Sequence, residues 1–139
     1  FLIENTIQAE EYIIREKTSG DMFYILHKGS VRITKNLMLE IEGIEADEKM
    51  LGRLTDQEHP AFGENGLLGT GNRTANVIAE TECLMYTLSK NDFEKLVHQD
   101  AQIGYYVMYN CCIALIKSLD KADENVAKLA TALSIAVKF

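Results

Sequence analysis

From Phe1 to Ser89 the chain runs in short segments in which apolar and polar residues alternate; after Ser89 the apolar residues fall three and four apart. The first period is that of a half-covered strand and the second that of a helix with one covered face. Phe1 to Gln8 and Tyr12 to Arg15 are short β-branched and aromatic runs separated by Ala9-Glu10-Glu11. Met22 to His27 is a dense apolar strand, and Val31-Arg32-Ile33-Thr34 alternates strictly. The turn triplet Ser19-Gly20-Asp21 precedes this pair, and the reversal Lys28-Gly29-Ser30 between its members predicts a hairpin. Lys49 to Leu54 predicts a further strand. Ala75, Val77 and Ala79, alternating with Thr74, Asn76 and Ile78, predict another, and Cys83 to Leu88 the last, after the turn Glu80-Thr81-Glu82. From 36 to 50 the pattern fades: Leu37, Leu39 and Ile41 alternate briefly, then Glu40, Glu42, Glu45, Asp47 and Glu48 predict a solvated acidic loop. These carboxylates lack the regular spacing and turn glycine of a calcium loop.

Ser89 is placed to cap a helix from Lys90 to Gln99 with Phe93, Leu96 and Val97 on one face. Asp100 is placed to cap a second, with Ile103, Tyr106, Val107, Asn110, Ile113, Ala114 and Lys117 along a seam. The polar stretch Asp120 to Asn125 predicts a hinge, beyond which Val126, Leu129, Ala130, Leu133 and Val137 form a further stripe. Such stripes serve either a symmetric dimer through residues 100–121, with Asn110 setting the register, or packing on the chain's own strands.

One stretch stands outside both periods. Phe62 to Val77, FGENGLLGTGNRTANV, joins glycines that let a backbone approach a ligand to a short turn, Glu64-Asn65-Gly66-Leu67-Leu68, whose free N–H groups attract an anion. After the loop Gly69-Thr70-Gly71-Asn72, Arg73 and Thr74 add a fixed cation and a hydroxyl just before a strand. Arg73 is expected to serve the site and not the core, so folding should survive its removal. Glu64 has the wrong sign for a phosphate and must face a neutral hydroxyl-bearing group, such as a ribose. Phosphate and sugar together point to a nucleotide.

Phe62-Gly63-Glu64, Leu67-Leu68, Arg73-Thr74-Ala75 and Val77 resemble the phosphate-binding cassette of cyclic nucleotide-binding domains, with the same spacing from Gly63-Glu64 to Arg73. Upstream, the order from Gly20 and Asp21 through Tyr24, Leu26 and Gly29 to Val31 resembles the family's second and third strands. The resemblance implies a mainly β jelly roll of the double-stranded β-helix type, with a short cassette helix and C-terminal helices. It implies cAMP or cGMP as regulatory ligand, Glu64 on the ribose 2′-hydroxyl and Arg73 on the cyclic phosphate. The backbone near Gly66 and Leu67, with Thr74 and Ala75, would complete the phosphate shell. The hydroxyl at Thr74 implies reach to the amino group of a syn guanine, so that cGMP is accepted beside cAMP. The base pocket is expected from Lys49 to Leu54 and the C-terminal helix. This chain departs from the family in having Gly66 where alanine is usual, and Glu58-His59-Pro60-Ala61 where a Gly-Asp pair commonly leads into the cassette.

Composition narrows the rest. The 139 residues, 47% apolar, suffice for one domain with a core that needs neither disulfide nor metal. A net charge of −7 argues against nucleic acid or an anionic membrane surface as the main partner of this piece. No apolar run approaches the roughly 18 residues of a membrane span. A start at Phe1 without a secretory leader reads as an excised fragment, and Cys83, Cys111 and Cys112 are expected as buried reduced thiols; together these point to the cytoplasm. His27, His59 and His98 lie far apart in sequence, and no Gly-x-Ser-x-Gly or P-loop motif occurs, so neither a metal centre nor catalytic residues are expected. The family's transcription factors carry a DNA-binding domain after the long helix; here any such domain is expected to lie outside the chain. The organisation expected is a β-roll over 1–89 with its cassette at 62–77, then helices over 90–139 serving as lid, dimer contact or both. The function expected is a cyclic-nucleotide sensor that moves its C-terminal helix. The alternative is a relative that has lost its ligand and serves as a dimerisation scaffold.

Overall fold

In the computed structural model, residues 1–37 and 48–138 are described. Strands β1 (Ile3–Ile7), β8 (Cys83–Ser89), β3 (Met22–Lys28) and β6 (Ala61–Phe62) form one antiparallel sheet in that order. Strands β2 (Tyr12–Ile14), β7 (Asn76–Ala79), β4 (Ser30–Asn36) and β5 (Glu48–Thr55) form the other. Between the sheets lie Ile14, Leu26, Val31, Phe62, Val77, Ala79, Cys83 and Met85, with Ile33, Leu54 and Tyr24 packed at the margin. The jelly roll is therefore present, and its strands follow the sequence pattern closely. Leu39, Ile41 and the acidic residues from Glu40 to Asp47 fall outside the described residues, but Glu48, expected in the solvated loop, opens β5 opposite Asn36 and accepts from Thr34 Oγ1 at 2.8 Å, because strand pairing with β4 extends that far.

The hairpin expected at Gly29 does not exist. β3 pairs with β6 and β8, whereas β4 pairs with β5 and β7, so Lys28-Gly29-Ser30 carries the chain from one sheet to the other. Each side of the turn sends an apolar residue, Leu26 or Val31, into the same core. The backbone at the turn bonds outward: Gly29 N–H donates to Asp56 Oδ2 at 2.8 Å, and Asp56 N–H to Gly29 O at 3.1 Å. Gly29 has φ +102°, and a Cβ there would stand 2.7 Å from Glu82 O, so the crossover requires glycine.

β7 also departs from alternation, since all four of its residues are buried. Asn76 is accommodated because its Oδ1 accepts from Glu16 N–H at 2.8 Å and its Nδ2 donates to Asn36 Oδ1 at 3.1 Å. Helix α2 (Lys90–Gln99) starts where expected: Asp92 N–H donates to Ser89 Oγ at 3.1 Å, and Phe93 is buried while Leu96 and Val97 are half-buried. It belongs to the compact unit Phe1–Gln99. Helix α3 (Ala101–Lys138) is a unit of its own, capped by Asp100 Oδ1, which accepts from Gln102 N–H at 3.0 Å. The predicted hinge is absent: α3 runs unbroken through Asp120 to Asn125, since polar residues without Gly or Pro stay helical, and Lys128 pairs with Glu124 one turn on at 3.2 Å. Cys83 and Cys111 are buried as expected but Cys112 is exposed, because neighbouring helix positions point to different sides.

Candidate functional site: the 62–77 cassette

β6 pairs with β3, Phe62 opposite Tyr24, and just beyond it Gly63 lies beside the Met22 carbonyl. Gly63 takes φ +83°, and a Cβ there would lie 3.1 Å from Met22 O and 3.2 Å from Arg73 Nη1. The chain then makes the predicted turn, α1 (Asn65–Leu68), with Gly66 and Leu67 buried. Gly66 N–H donates to Gly63 O and Leu67 N–H to Glu64 O, both at 2.9 Å, so these two donors are engaged within the turn. At Gly66 a Cβ would meet Met22 O at 2.6 Å and Met22 N at 2.9 Å. Glycine replaces the family's alanine here because the turn lies directly on the β3 backbone.

Arg73 is the centre of this packing and only 6% exposed. Its Nη2 donates to Met22 O at 2.8 Å and its Nη1 to Gly63 O at 3.2 Å. Gly20, Gly63 and Gly66 wall the guanidinium, each so close that a Cβ would come within 3.0 to 3.2 Å of it. Among the described residues no carboxylate forms an ion pair with Arg73. The expectation that this cation stands apart from the core is therefore corrected: two backbone carbonyls and three glycines enclose it, because the loop 69–72 returns the chain beneath α1. That return is held by Gly71 N–H donating to Asn65 O and by Asn65 Nδ2 donating to Asn72 O, both at 3.2 Å.

The remaining predicted residues lie around this cation. Glu64 is half-buried at the head of α1 and caps no N–H with its side chain. Thr74 is exposed and Ala75 half-buried, on the approach to β7. Of the expected base-pocket strand, Leu54 packs at the core margin, but Met50 and Leu51 are 46% and 38% exposed. A cavity of 270 Å³ opens beside Arg73, with Ile14, Thr18, Gly20 and Tyr24 in its wall.

Sequence reasoning gave no role at the site to Met22 or Tyr24. Met22 acts through its carbonyl oxygen, which no side-chain pattern announces. Tyr24 stacks on Phe62 with ring centroids 5.2 Å apart; burial raises its hydroxyl above the usual tyrosine range, and the Arg73 charge opposes that rise. His59, in the unusual lead-in, adopts φ +46°, a left-handed position that glycine normally fills, and its ring stacks on His27 at 5.1 Å. The two histidines, far apart in sequence, are thus neighbours; no side-chain periodicity links a strand to a left-handed turn.

The family profile described as cyclic nucleotide-binding domain matches residues 4–100. The chain is 37% identical over 92 residues to cGMP-dependent protein kinase, isozyme 1, of Drosophila melanogaster, covering 64% of this chain and 11% of the kinase. Among solved structures it resembles the Thermus thermophilus catabolite activator protein, with TM-score 0.75 and 22% identity over 93% of this chain and 55% of that one. It also resembles the regulatory domain of Toxoplasma gondii PKA, solved with cAMP, with TM-score 0.57 and 28% identity over 78% of this chain and 40% of that one. The chain thus spans about a tenth of the length of the kinase it matches.

Proposed function

The chain belongs to the cyclic nucleotide-binding domain family, and on that premise we propose that it is a sensor module that binds cAMP or cGMP in its 62–77 cassette and answers by moving its C-terminal helix. The observation that carries this reading is the state of Arg73: a cation 6% exposed whose hydrogen bonds go to neutral carbonyls. Burying a charge is costly unless an opposite charge meets it, and a cyclic phosphate beside the guanidinium supplies one. With Gly66 and Leu67 N–H engaged, the turn's remaining donors toward the phosphate are the N–H groups of Glu64 and Asn65, for which no acceptor is present among the described residues. Thr74 and Ala75 flank the same anion, and the Glu64 carboxylate accepts from the ribose hydroxyl.

The route outward begins with contact between α1 and α2, and α2 is anchored by Lys90 N–H donating to Asp21 O at 2.9 Å. A single residue, Asp100, separates α2 from α3. A ligand that prefers one placement of these helices shifts their equilibrium by its difference in affinity. This is the work of a binding module; the reading assigns no catalytic step to the chain.

Isothermal calorimetry with cAMP and cGMP tests the proposal. Saturable binding of either is expected, weakened when the 2′-hydroxyl is removed, and absence of heat with both at millimolar ligand overturns it. A second reading, a ligand-free dimerisation scaffold, is favoured by the exposed apolar side chains of α3, including Ile103, Tyr106 and Ile113. It would be supported by dimerisation without any nucleotide response.

A further inference from the structure

We propose that Glu16 and Lys35 act together as positioning residues that hold the Arg73-Thr74 backbone in place for the ligand, an inference that rests on reading residues 62–77 as the cyclic-nucleotide site. Lys35, near the end of β4, donates from Nζ to Thr74 O at 2.9 Å and lies 3.5 Å from Glu16 Oε1. The Lys35 side chain is 41% exposed, but the Glu16 side chain is only 6% exposed. A carboxylate so enclosed demands full partnership. It has it: Glu16 Oε2 accepts from Asn36 N–H at 2.8 Å, while Glu16 N–H donates to Asn76 Oδ1 at 2.8 Å. Asn76, buried in β7, closes the set by donating to Thr34 Oγ1 at 3.3 Å and to Asn36 Oδ1 at 3.1 Å.

The residues after Glu16 grip the neighbouring cassette position. Lys17 N–H donates to Arg73 O, and Arg73 N–H to Thr18 O, each at 2.8 Å. Consecutive carbonyls of the cassette, those of Arg73 and Thr74, are therefore each held, one by the backbone beside Glu16 and the other by its salt-bridge partner. A connected polar set in which each member is satisfied fixes geometry more than it adds stability. The geometry fixed here is that of the residue carrying the phosphate cation and of the hydroxyl residue beside it. Neither Glu16 nor Lys35 belongs to the cassette motif, and they meet only because the ends of β2, β4 and β7 converge.

The test compares wild type, Lys35→Met, Lys35→Arg, Glu16→Gln and the double variant Glu16→Gln/Lys35→Met by calorimetry with cAMP and cGMP, alongside urea denaturation. Lys35→Met is expected to weaken nucleotide binding about fivefold or more, with Lys35→Arg restoring most of it. The double variant is expected to lose less than the product of the two single losses, since the pair acts as a unit. Wild-type affinity in Lys35→Met overturns the proposal. If wild type itself binds neither nucleotide, the sensor reading fails, and the Ala75 amide resonance in a nitrogen-15 spectrum tests the positioning separately. A shift in Lys35→Met that reverts in Lys35→Arg supports it, and an unshifted resonance overturns it.

Discussion

Arg73 Nη2 donates to the carbonyl oxygen of Met22 at 2.8 Å, across 51 residues of sequence, and so ties the cassette to the first residue of β3. The proposed phosphate cation is thereby also a structural bolt. Replacing it with alanine removes charge-assisted hydrogen bonds worth roughly 1.5 to 3 kcal/mol, taking a donor from Met22 O and from Gly63 O, the latter still held by Gly66 N–H. Arg73→Ala should therefore lose at least about tenfold in nucleotide affinity and should also unfold at lower urea. Arg73→Lys keeps a point charge but not the planar fork, so it should fold better than the alanine variant and still bind poorly. Calorimetry paired with denaturation separates the two effects; unchanged affinity in Arg73→Ala would remove Arg73 from the site.

Gly66 carries a steric prediction. A methyl group there would lie 2.6 Å from Met22 O, backbone against backbone, with no flexible atom to give way. Gly66→Ala should destabilise the fold by about 1 to 3 kcal/mol and displace α1, with loss of nucleotide binding, although alanine is usual in the family. Gly69→Ala is the control, since its nearest neighbour would be at 3.5 Å. Equal midpoints for the two variants would contradict the observed packing.

Tyr24 provides an optical probe. Burial raises its hydroxyl while the Arg73 charge pulls it back, and Tyr12 is raised too, chiefly by its hydrogen bond to Glu48. Tyr12 and Tyr24 should thus ionise late in an alkaline titration, and Tyr24→Phe should remove one of these steps. Because the Tyr24 value is raised in the folded state, its contribution to stability is complete below the unfolded tyrosine range near 10 and is lost as pH rises through the folded value. A phosphate on Arg73 cancels the opposing charge, so ligand should move the Tyr24 step higher still. A downward shift on saturation would contradict placement of the anion there.

Thr74 bears on base preference. One hydroxyl contact is worth about 0.5 to 1.5 kcal/mol net, so cAMP and cGMP should bind within about tenfold of each other. Thr74→Ala should weaken cGMP more than cAMP. Parallel titrations check this, and equal losses would confine Thr74 to the phosphate shared by both ligands.

The seam of Ile103, Tyr106, Val107, Asn110 and Ile113 bears on assembly. A single helix cannot bury its own apolar stripe, and Tyr106 is 55% exposed. A symmetric dimer through residues 100–121 is expected, and Ile113→Asp should shift it toward monomer. Sedimentation velocity with and without nucleotide decides; a monomer at high micromolar concentration in both conditions would end the proposal.

What could be read directly from the sequence was local. The switch from a period of two to one near four at Ser89 located the change from strand to helix, because side-chain direction repeats with the backbone's own geometry. The spacing of Gly63, Glu64, Arg73 and Thr74 marked the cassette for a similar reason: a turn, a short loop and a strand start impose distances along the chain. The caps Ser89 and Asp100 were legible because a capping side chain reaches only two or three residues onward.

What tertiary structure decided was partnership. A strand's N–H and C=O groups pair equally well with any strand, so the sequence around Gly29 reads as a hairpin, while the packing of Leu26 and Val31 into one core divides β3 and β4 between two sheets. The same division brings His27 to His59, Glu16 to Lys35, and the Met22 carbonyl to Arg73. Arg73 could be recognised as a cation from its position in the motif, but its burial among Gly20, Gly63 and Gly66 depends on three separate segments meeting. Such contacts leave no period in the chain, because they join residues whose separation in sequence is set by topology and not by the geometry of any one element.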